Sequence, residues 1–157
     1  MLRRRRLFSS VLAALAAASL PLAVAAEAGK PRVEVWKDPS CGCCQDWVQH
    51  LQDNGFGVRV HDTGNAAARA RLGVSAQWGS CHTASVGGYA VEGHVPARDI
   101  HRLLKERPVA IGLSVPGMPV GSPGMDGPAY GARKDPFDVM LLQHGGQARV
   151  FQSYHKS

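Results

Sequence analysis

The fold of this chain is decided by one short stretch near its beginning, which reads Val33-Glu34-Val35-Trp36-Lys37-Asp38-Pro39-Ser40-Cys41-Gly42-Cys43-Cys44. Apolar and polar residues alternate over 33–36, which predicts a strand, and Asp38-Pro39-Ser40 ends that strand. From Cys41 to Asn54 the apolar residues recur at i, i+3, i+4 and i+7, which predicts a helix. The stretch therefore places three cysteines where a strand ends and a helix begins.

The segments that follow predict alternating strands and helices. We expect a strand at 58–61, a helix at 65–72 with Asn65 as its N-cap, strands at 82–86 and 89–92 joined by the turn Gly87-Gly88, and a helix that starts at Pro96 and buries Ile100, Leu103 and Leu104. The predicted class is α/β, and the order β-α-β-α-β-β-α over 33–106 is the thioredoxin-like order.

Two further segments are predicted beyond this order. Residues 112–131 contain six Gly and four Pro, a composition that predicts a long loop and disfavours a helix or a central strand. Strands at 138–142 and 148–152, joined around Gly145-Gly146, predict a C-terminal β-hairpin.

Length and composition predict one folded domain, which we place at residues 32–153. The chain has 157 residues, of which 45% are hydrophobic and 19% are charged, and this composition excludes a disordered chain. The formal net charge of +6 depends largely on the run Arg3-Arg4-Arg5-Arg6.

That basic run begins a predicted signal peptide at residues 1–25. An apolar segment follows the arginines, and Ala23-Val24-Ala25 matches the small-residue pattern of a cleavage site near Ala25. The alternative is a membrane anchor, but serines and Pro21 interrupt the apolar segment. We therefore expect an exported protein with no membrane attachment after cleavage. Removing the signal peptide leaves 14 Lys and Arg against 12 Asp and Glu, so nucleic-acid binding has little support.

The four cysteines carry the functional prediction. Cys41, Cys43 and Cys44 lie at a helix N-terminus, where free N–H groups stabilise thiolates. Cys81 precedes the third strand, and in a thioredoxin-like fold that loop faces the dithiol, so Cys81 should complete a four-sulfur cluster. Thioredoxins have a cis-proline in this loop, whereas residues 78–84 contain no proline. A structural disulfide is the alternative, but a Cys41–Cys44 bridge closes only one helical turn.

The expected metal is copper. Zinc sites usually pair two C-x₂₋₄-C elements, and this chain has one. Thiolates and thioethers together select Cu(I), and three sulfurs within four residues favour bridging and hence more than one ion. Met118 and Met125 offer thioethers in the Gly/Pro loop, although filling a gap in the core is the more common role of methionine.

Four motifs resemble one known family. They are Cys41-Gly42-Cys43-Cys44, Ser80-Cys81-His82-Thr83-Ala84, Glu92-Gly93-His94-Val95-Pro96-Ala97 and the loop from Val115 to Met125. Together they resemble the thioredoxin-like metal-binding family that includes the bacterial copper-resistance protein CopG.

The resemblance implies a periplasmic copper-binding protein of copper resistance with a redox role between Cu(I) and Cu(II), which would make it a copper oxidoreductase. Its copper ligands would be the four cysteines, Met118, Met125 and a nearby histidine. Other periplasmic copper-handling proteins would be its partners. The candidate histidines are His94 and His82, and if the strand has already begun at Cys81, alternation predicts that His82 and Cys81 point to opposite faces.

Two other functions remain open at this point. A periplasmic thiol-disulfide oxidoreductase would use Cys41 as nucleophile and Cys44 as the resolving thiol. A zinc-stabilised adaptor would use the Gly/Pro loop to hold a partner protein.

Overall fold

The computed structural model describes residues 29–154, so the predicted signal peptide lies outside the described residues. The strands are β1 (Arg32–Lys37), β2 (Gly57–His61), β3 (His82–Val86), β4 (Tyr89–Glu92), β5 (Gly112–Ser114), β6 (Phe137–Leu142) and β7 (Ala148–Tyr154). The helices are α1 (Gly42–Asp53), α2 (Ala66–Arg71) and α3 (Ala97–Glu106), with short 3₁₀ turns at Ala76–Trp78 and Pro128–Tyr130. No helix among these residues is long and apolar enough to cross a membrane.

Within residues 29–154, the strands form one seven-stranded sheet in the order β2-β1-β3-β4-β5-β6-β7. The β1–β2 and β4–β5 pairs are parallel, and the other neighbouring strands are antiparallel. The predicted α/β class, the element order up to Glu106 and the C-terminal hairpin are confirmed. The assignment to the thioredoxin-like fold itself stays a prediction.

A continuous apolar core joins the sheet to α1 and α3. Trp47 and Leu51 of α1 and Ile100 of α3 are fully buried, as the helical spacing of apolar residues predicts. The Trp47 indole Nε1 donates a hydrogen bond to the Val95 carbonyl oxygen at 2.9 Å. This bond fixes α1 against the segment that leads into α3.

The strand β5 corrects the prediction that 112–131 contains no central strand. It lies between β4 and β6, and Leu113 and Ser114 are fully buried. A Cβ atom at Gly112 would fall 1.8 Å from the Ala90 carbonyl oxygen, so the glycine allows the two backbones to approach closely. Gly112 therefore permits a central strand, although the glycine content of 112–131 predicted a loop.

The register of β1 against β3 positions the cysteines. The two strands are antiparallel, and Lys37 at the end of β1 pairs with His82 at the start of β3. The segment leaving β1 carries Cys41, and the segment entering β3 carries Cys81. Cys41 and Cys81, which are far apart in sequence, therefore meet where β1 ends and β3 begins.

Candidate metal centre

The N-terminus of α1 holds three of the four sulfurs. Cys41 is the N-cap residue and its side chain makes no capping hydrogen bond, and the first backbone N–H groups of a helix have no partner within the helix. The Cys41 backbone N–H donates to the Asp38 carbonyl oxygen at 3.1 Å, which fixes the turn that leads into the helix. Cys41 and Cys44 form a disulfide, while Cys43 is a free thiol.

The structure brings Cys81 to this helix end. Ligand atoms of Cys41, Cys43, Cys44 and Cys81 all lie within 4.8 Å of one another. The Sγ atoms of Cys41 and Cys43 are 3.6 Å apart, and Cys44 Sγ lies 3.7 Å from the Cys81 carbonyl oxygen. The four-sulfur cluster expected from the sequence is thus present in space, whereas its role in binding a metal stays a prediction.

A second group of donors shares Cys81 with the first. Cys81 Sγ lies 3.2 Å from His94 Nε2 and 3.4 Å from His82 Nδ1. His94 Nδ1 lies 2.8 Å from the Pro123 carbonyl oxygen, which can only accept, so Nδ1 carries the proton and the Nε2 lone pair faces the sulfur. Cys81 therefore connects the cysteine cluster to a pair of buried imidazoles.

The condition under which His82 and Cys81 would face apart is not met. The strand begins at His82, so Cys81 precedes β3 and is not bound by the alternation of side chains along a strand. The His82 ring packs against Trp47, with 4.3 Å between the ring centroids, and its edge reaches the sulfur.

Burial favours the neutral forms of the Cys81 thiol and of the His82 and His94 imidazoles. It lowers the pKa of His82 well below its usual value, helped by the neighbouring His94 ring, and it also lowers the pKa of His94. Burial, followed by the neighbouring Cys43 sulfur, raises the pKa of the Cys81 thiol to about 12. A metal ion bound to Cys81 would therefore displace a proton, whereas the Nε2 lone pair of His94 is free to bind without losing one.

The Gly/Pro loop is fixed against both cysteine segments. The Gly117 backbone N–H donates to the Gly79 carbonyl oxygen at 3.2 Å, and the Ser80 hydroxyl donates to the Gly117 carbonyl oxygen. Further along, Gly124 packs so closely on α1 that an added Cβ would lie 2.6 Å from the Cys43 carbonyl oxygen. The loop that carries the methionines is structured and covers the site.

The two methionines occupy different environments. Met118 is 52% exposed, whereas Met125 is 8% exposed and its sulfur accepts a hydrogen bond from the Tyr130 hydroxyl at 3.3 Å. Each methionine follows a glycine that contacts a cysteine-bearing segment, but their part in binding a metal stays a prediction. Met118 is the accessible thioether, and Met125 is the enclosed one.

The donor set fits a soft metal ion. Thiolate, thioether and neutral imidazole are ligands that Cu(I) accepts, and four sulfurs within 4.8 Å suit bridging between ions. While Cys41 and Cys44 are bonded to each other, two sulfurs remain as thiols. Reduction of the disulfide is therefore required before all four can act as thiolate ligands.

Comparisons with known proteins agree with this chemistry. Residues 78–125 match a family described as a protein of unknown function, DUF411. Two solved structures of copper resistance protein CopG match with a TM-score of 0.73, form 2 at 46% identity and form 1 at 48%. Each match covers 80% of this chain and 98–99% of the CopG chain. The chain belongs to the CopG family. Comparison with curated protein sequences gave no match.

Sequence reasoning missed the polar network that holds the Cys81 segment in this CopG-family chain. The fully buried Glu92 accepts hydrogen bonds from Arg69 Nε at 2.8 Å, the Ser80 backbone N–H at 2.7 Å and the Thr83 hydroxyl at 2.6 Å. Burial raises the pKa of Glu92, and these three donors oppose that rise. Asn65 is the N-cap residue of α2, as predicted, but its side chain does not cap the helix and donates to the Ser80 carbonyl oxygen at 3.1 Å.

We expect Glu92→Gln to lower the free energy of unfolding by about 3 kcal/mol, because it removes a fully buried carboxylate that is the charged partner of the partly buried Arg69 guanidinium. Urea unfolding measures the loss. Glu106→Gln is the matched control, since Glu106 pairs with Arg102 on the exposed face of α3 and should cost about 0.5 kcal/mol or less. Equal losses in the two variants would contradict a special role for Glu92.

Proposed function

We propose that this chain is an exported copper-binding protein of copper resistance that holds copper in a polynuclear cluster of cysteine thiolates. The observation that carries the proposal is the meeting of four cysteines from two segments within 4.8 Å. Membership of the CopG family supports copper as the metal. Residues 1–25 would be removed on export to the periplasm, and the mass of the periplasmic protein tests that cleavage.

The proposed ligands divide by chemical type. Cys41, Cys43, Cys44 and Cys81 supply most of the affinity, because thiolates are the strongest soft donors at the site. Cys81 is shared between the sulfur cluster and the imidazoles of His94 and His82. The thioethers of Met118 and Met125 complete the set from the covering loop.

Mixed donors suit a redox role between Cu(I) and Cu(II). Thiolate and thioether favour the reduced ion, whereas imidazole binds both. The Pro123 carbonyl oxygen fixes the His94 tautomer, so that the Nε2 lone pair is already directed at the site. The His94 lone pair is therefore available to the ion in either oxidation state.

A thiol-disulfide oxidoreductase is the second candidate function, and one observation favours it. The Cys41–Cys44 disulfide lies at a helix N-terminus, with Cys41 partly exposed and Cys44 fully buried. An attacking thiol would reach Cys41, and Cys44 would act as the resolving thiol. This function uses neither Cys43 nor Cys81.

Cys43→Ser separates the two functions. It keeps the Cys41–Cys44 pair, so a disulfide exchanger would reduce insulin at the parental rate, whereas a copper cluster would lose a shared ligand. We expect the parent to bind several Cu(I) ions in an anaerobic titration and to reduce insulin slowly, and the variant to bind fewer ions. Parental copper binding by the variant, together with rapid insulin reduction, would favour the oxidoreductase instead.

Replacing Met118 and Met125 together with Leu should accelerate the transfer of Cu(I) to a chelator by about tenfold, the effect of losing roughly 1.4 kcal/mol of binding. Leucine preserves volume and apolarity, so folding should change little. Stopped-flow absorbance with a Cu(I) chelator measures the rate. Because Met118 is the exposed thioether, Met118→Leu alone should produce most of the change; parental exchange in the double variant would identify both methionines as packing residues.

A further inference from the structure

The structure divides the four sulfurs into two pairs. Cys41 and Cys44 are joined as a disulfide, and Cys43 and Cys81 remain thiols. One member of the free pair, Cys81, belongs to both donor groups, because its sulfur also contacts His94 and His82. The structure therefore places two free thiols, Cys43 and Cys81, next to the Cys41–Cys44 disulfide.

We propose that the Cys41–Cys44 dithiol is an internal electron donor that reduces Cu(II) to Cu(I) at this site. This inference rests on the proposed copper-binding function and deepens it, because it assigns the redox change to a cysteine pair. The chain would then act as a cupric reductase that uses thiols as electron donors, and the disulfide would be its oxidised state after copper has been reduced.

The step balances in atoms and electrons. The two S–H bonds of Cys41 and Cys44 break, one S–S bond forms, two protons pass to solvent, and two Cu(II) ions each gain one electron. Each turnover therefore yields two Cu(I) ions per chain. Both products are soft ions, and the donors still available are the Cys43 and Cys81 sulfurs, the two imidazoles and the loop thioethers.

The geometry places the proposed electron donor, the Cys41–Cys44 pair, next to the free thiols Cys43 and Cys81. Cys41 Sγ lies 3.6 Å from Cys43 Sγ, and ligand atoms of all four cysteines fall within 4.8 Å. An ion held by Cys43 and Cys81 would therefore lie within bonding or contact distance of the pair that is oxidised. Disulfide formation also removes two thiolate ligands, so the same step that reduces copper loosens the cluster.

Resetting the pair needs an external dithiol reductant of the thioredoxin type. Cys41 is partly exposed and Cys44 is fully buried, so an incoming thiolate would attack Cys41 Sγ and release the Cys44 thiolate. A second thiol of the reductant then resolves the mixed disulfide. The reductant supplies the two electrons that the next two Cu(II) ions receive.

The test is an anaerobic reaction of the fully reduced chain with Cu(II) sulfate. X-ray absorption at the copper edge counts Cu(I), and mass mapping after alkylation locates the disulfide. We expect two Cu(I) per chain, with the bridge between Cys41 and Cys44. Cys41→Ser combined with Cys44→Ser should slow Cu(I) formation by about tenfold or more, whereas Cys43→Ser combined with Cys81→Ser should weaken copper binding and still form the Cys41–Cys44 bridge.

The outcomes separate this inference from the proposed function. A reduced chain that binds Cu(I) but does not reduce Cu(II) would overturn the inference and leave the copper cluster standing. A bridge between Cys43 and Cys81, with Cys41 and Cys44 alkylated, would also overturn it, and this readout comes from the parent chain without any variant. Failure to bind Cu(I) at all would overturn the proposed function.

Discussion

Cys81→Ser is expected to lower the copper content of the reduced chain by more than one ion. Cys81 is common to both donor groups, since its sulfur lies near the three helix cysteines and 3.2 Å from His94 Nε2. A bridging thiolate bonds to more than one ion, so its loss opens several bonds at once. Copper per chain, measured by mass spectrometry after anaerobic loading with Cu(I), reports the effect.

Cys43→Ser is the matched control for this prediction. Cys43 belongs to the four-cysteine group but not to the group formed by Cys81, His82 and His94. Its loss should therefore remove fewer ions than the loss of Cys81. Serine is close in size to cysteine, so unfolding midpoints should change little in either variant. A Cys81→Ser chain that retains the full copper complement would refute the shared cluster.

Gly124→Ala should separate the covering loop from the helix that carries the cysteines. Gly124 has a φ of +83°, and an added Cβ would lie 2.6 Å from the Cys43 carbonyl oxygen and 2.8 Å from the Trp47 nitrogen. Both neighbours are helix backbone, so the loop must move. Left-handed strain and this clash together should lower the free energy of unfolding by about 3 kcal/mol. We also expect Cu(I) to leave the site faster, because Met125 moves with Gly124.

Two other glycines of the loop provide controls. Gly117 has a φ of +70° with open space at its Cβ position, so Gly117→Ala measures the backbone strain alone, about 1 kcal/mol. Gly127 has a φ of −71° and open space, so Gly127→Ala should be nearly neutral. Urea unfolding and chelator transfer rank the three variants. If Gly124→Ala behaves like Gly117→Ala in both measurements, the contact with Cys43 contributes nothing.

Local patterns predicted the parts of the fold that depend on neighbouring residues. The strand ending before Cys41, the helix that buries Trp47 and the turn at Gly87-Gly88 follow from periodicity and from turn residues, and the structure contains all three. The meeting of Cys81 with the helix end followed from the order of the elements. These inferences needed no knowledge of side-chain contacts between distant segments.

Other features depend on pairings that a single sequence does not reveal. The fully buried Glu92 forms an ion pair with the partly buried Arg69 across 23 positions, and each residue alone is compatible with an exposed site. The central strand β5 needs glycine at position 112, because the Ala90 backbone occupies the space that a side chain would fill. In both cases the deciding partner comes from another element of the tertiary structure.

The register of β1 against β3 also affects the lifetime of the molecule. Cys81 meets the helix cysteines only after these two strands have paired, so an unfolded chain offers copper only the three sulfurs near Cys41. Copper that binds the folded chain more tightly than the unfolded one raises the free energy of unfolding in proportion to the logarithm of its free concentration. Metal-free molecules then open more often to proteases than loaded ones. We therefore expect the degradation of this protein to slow as the copper supply rises.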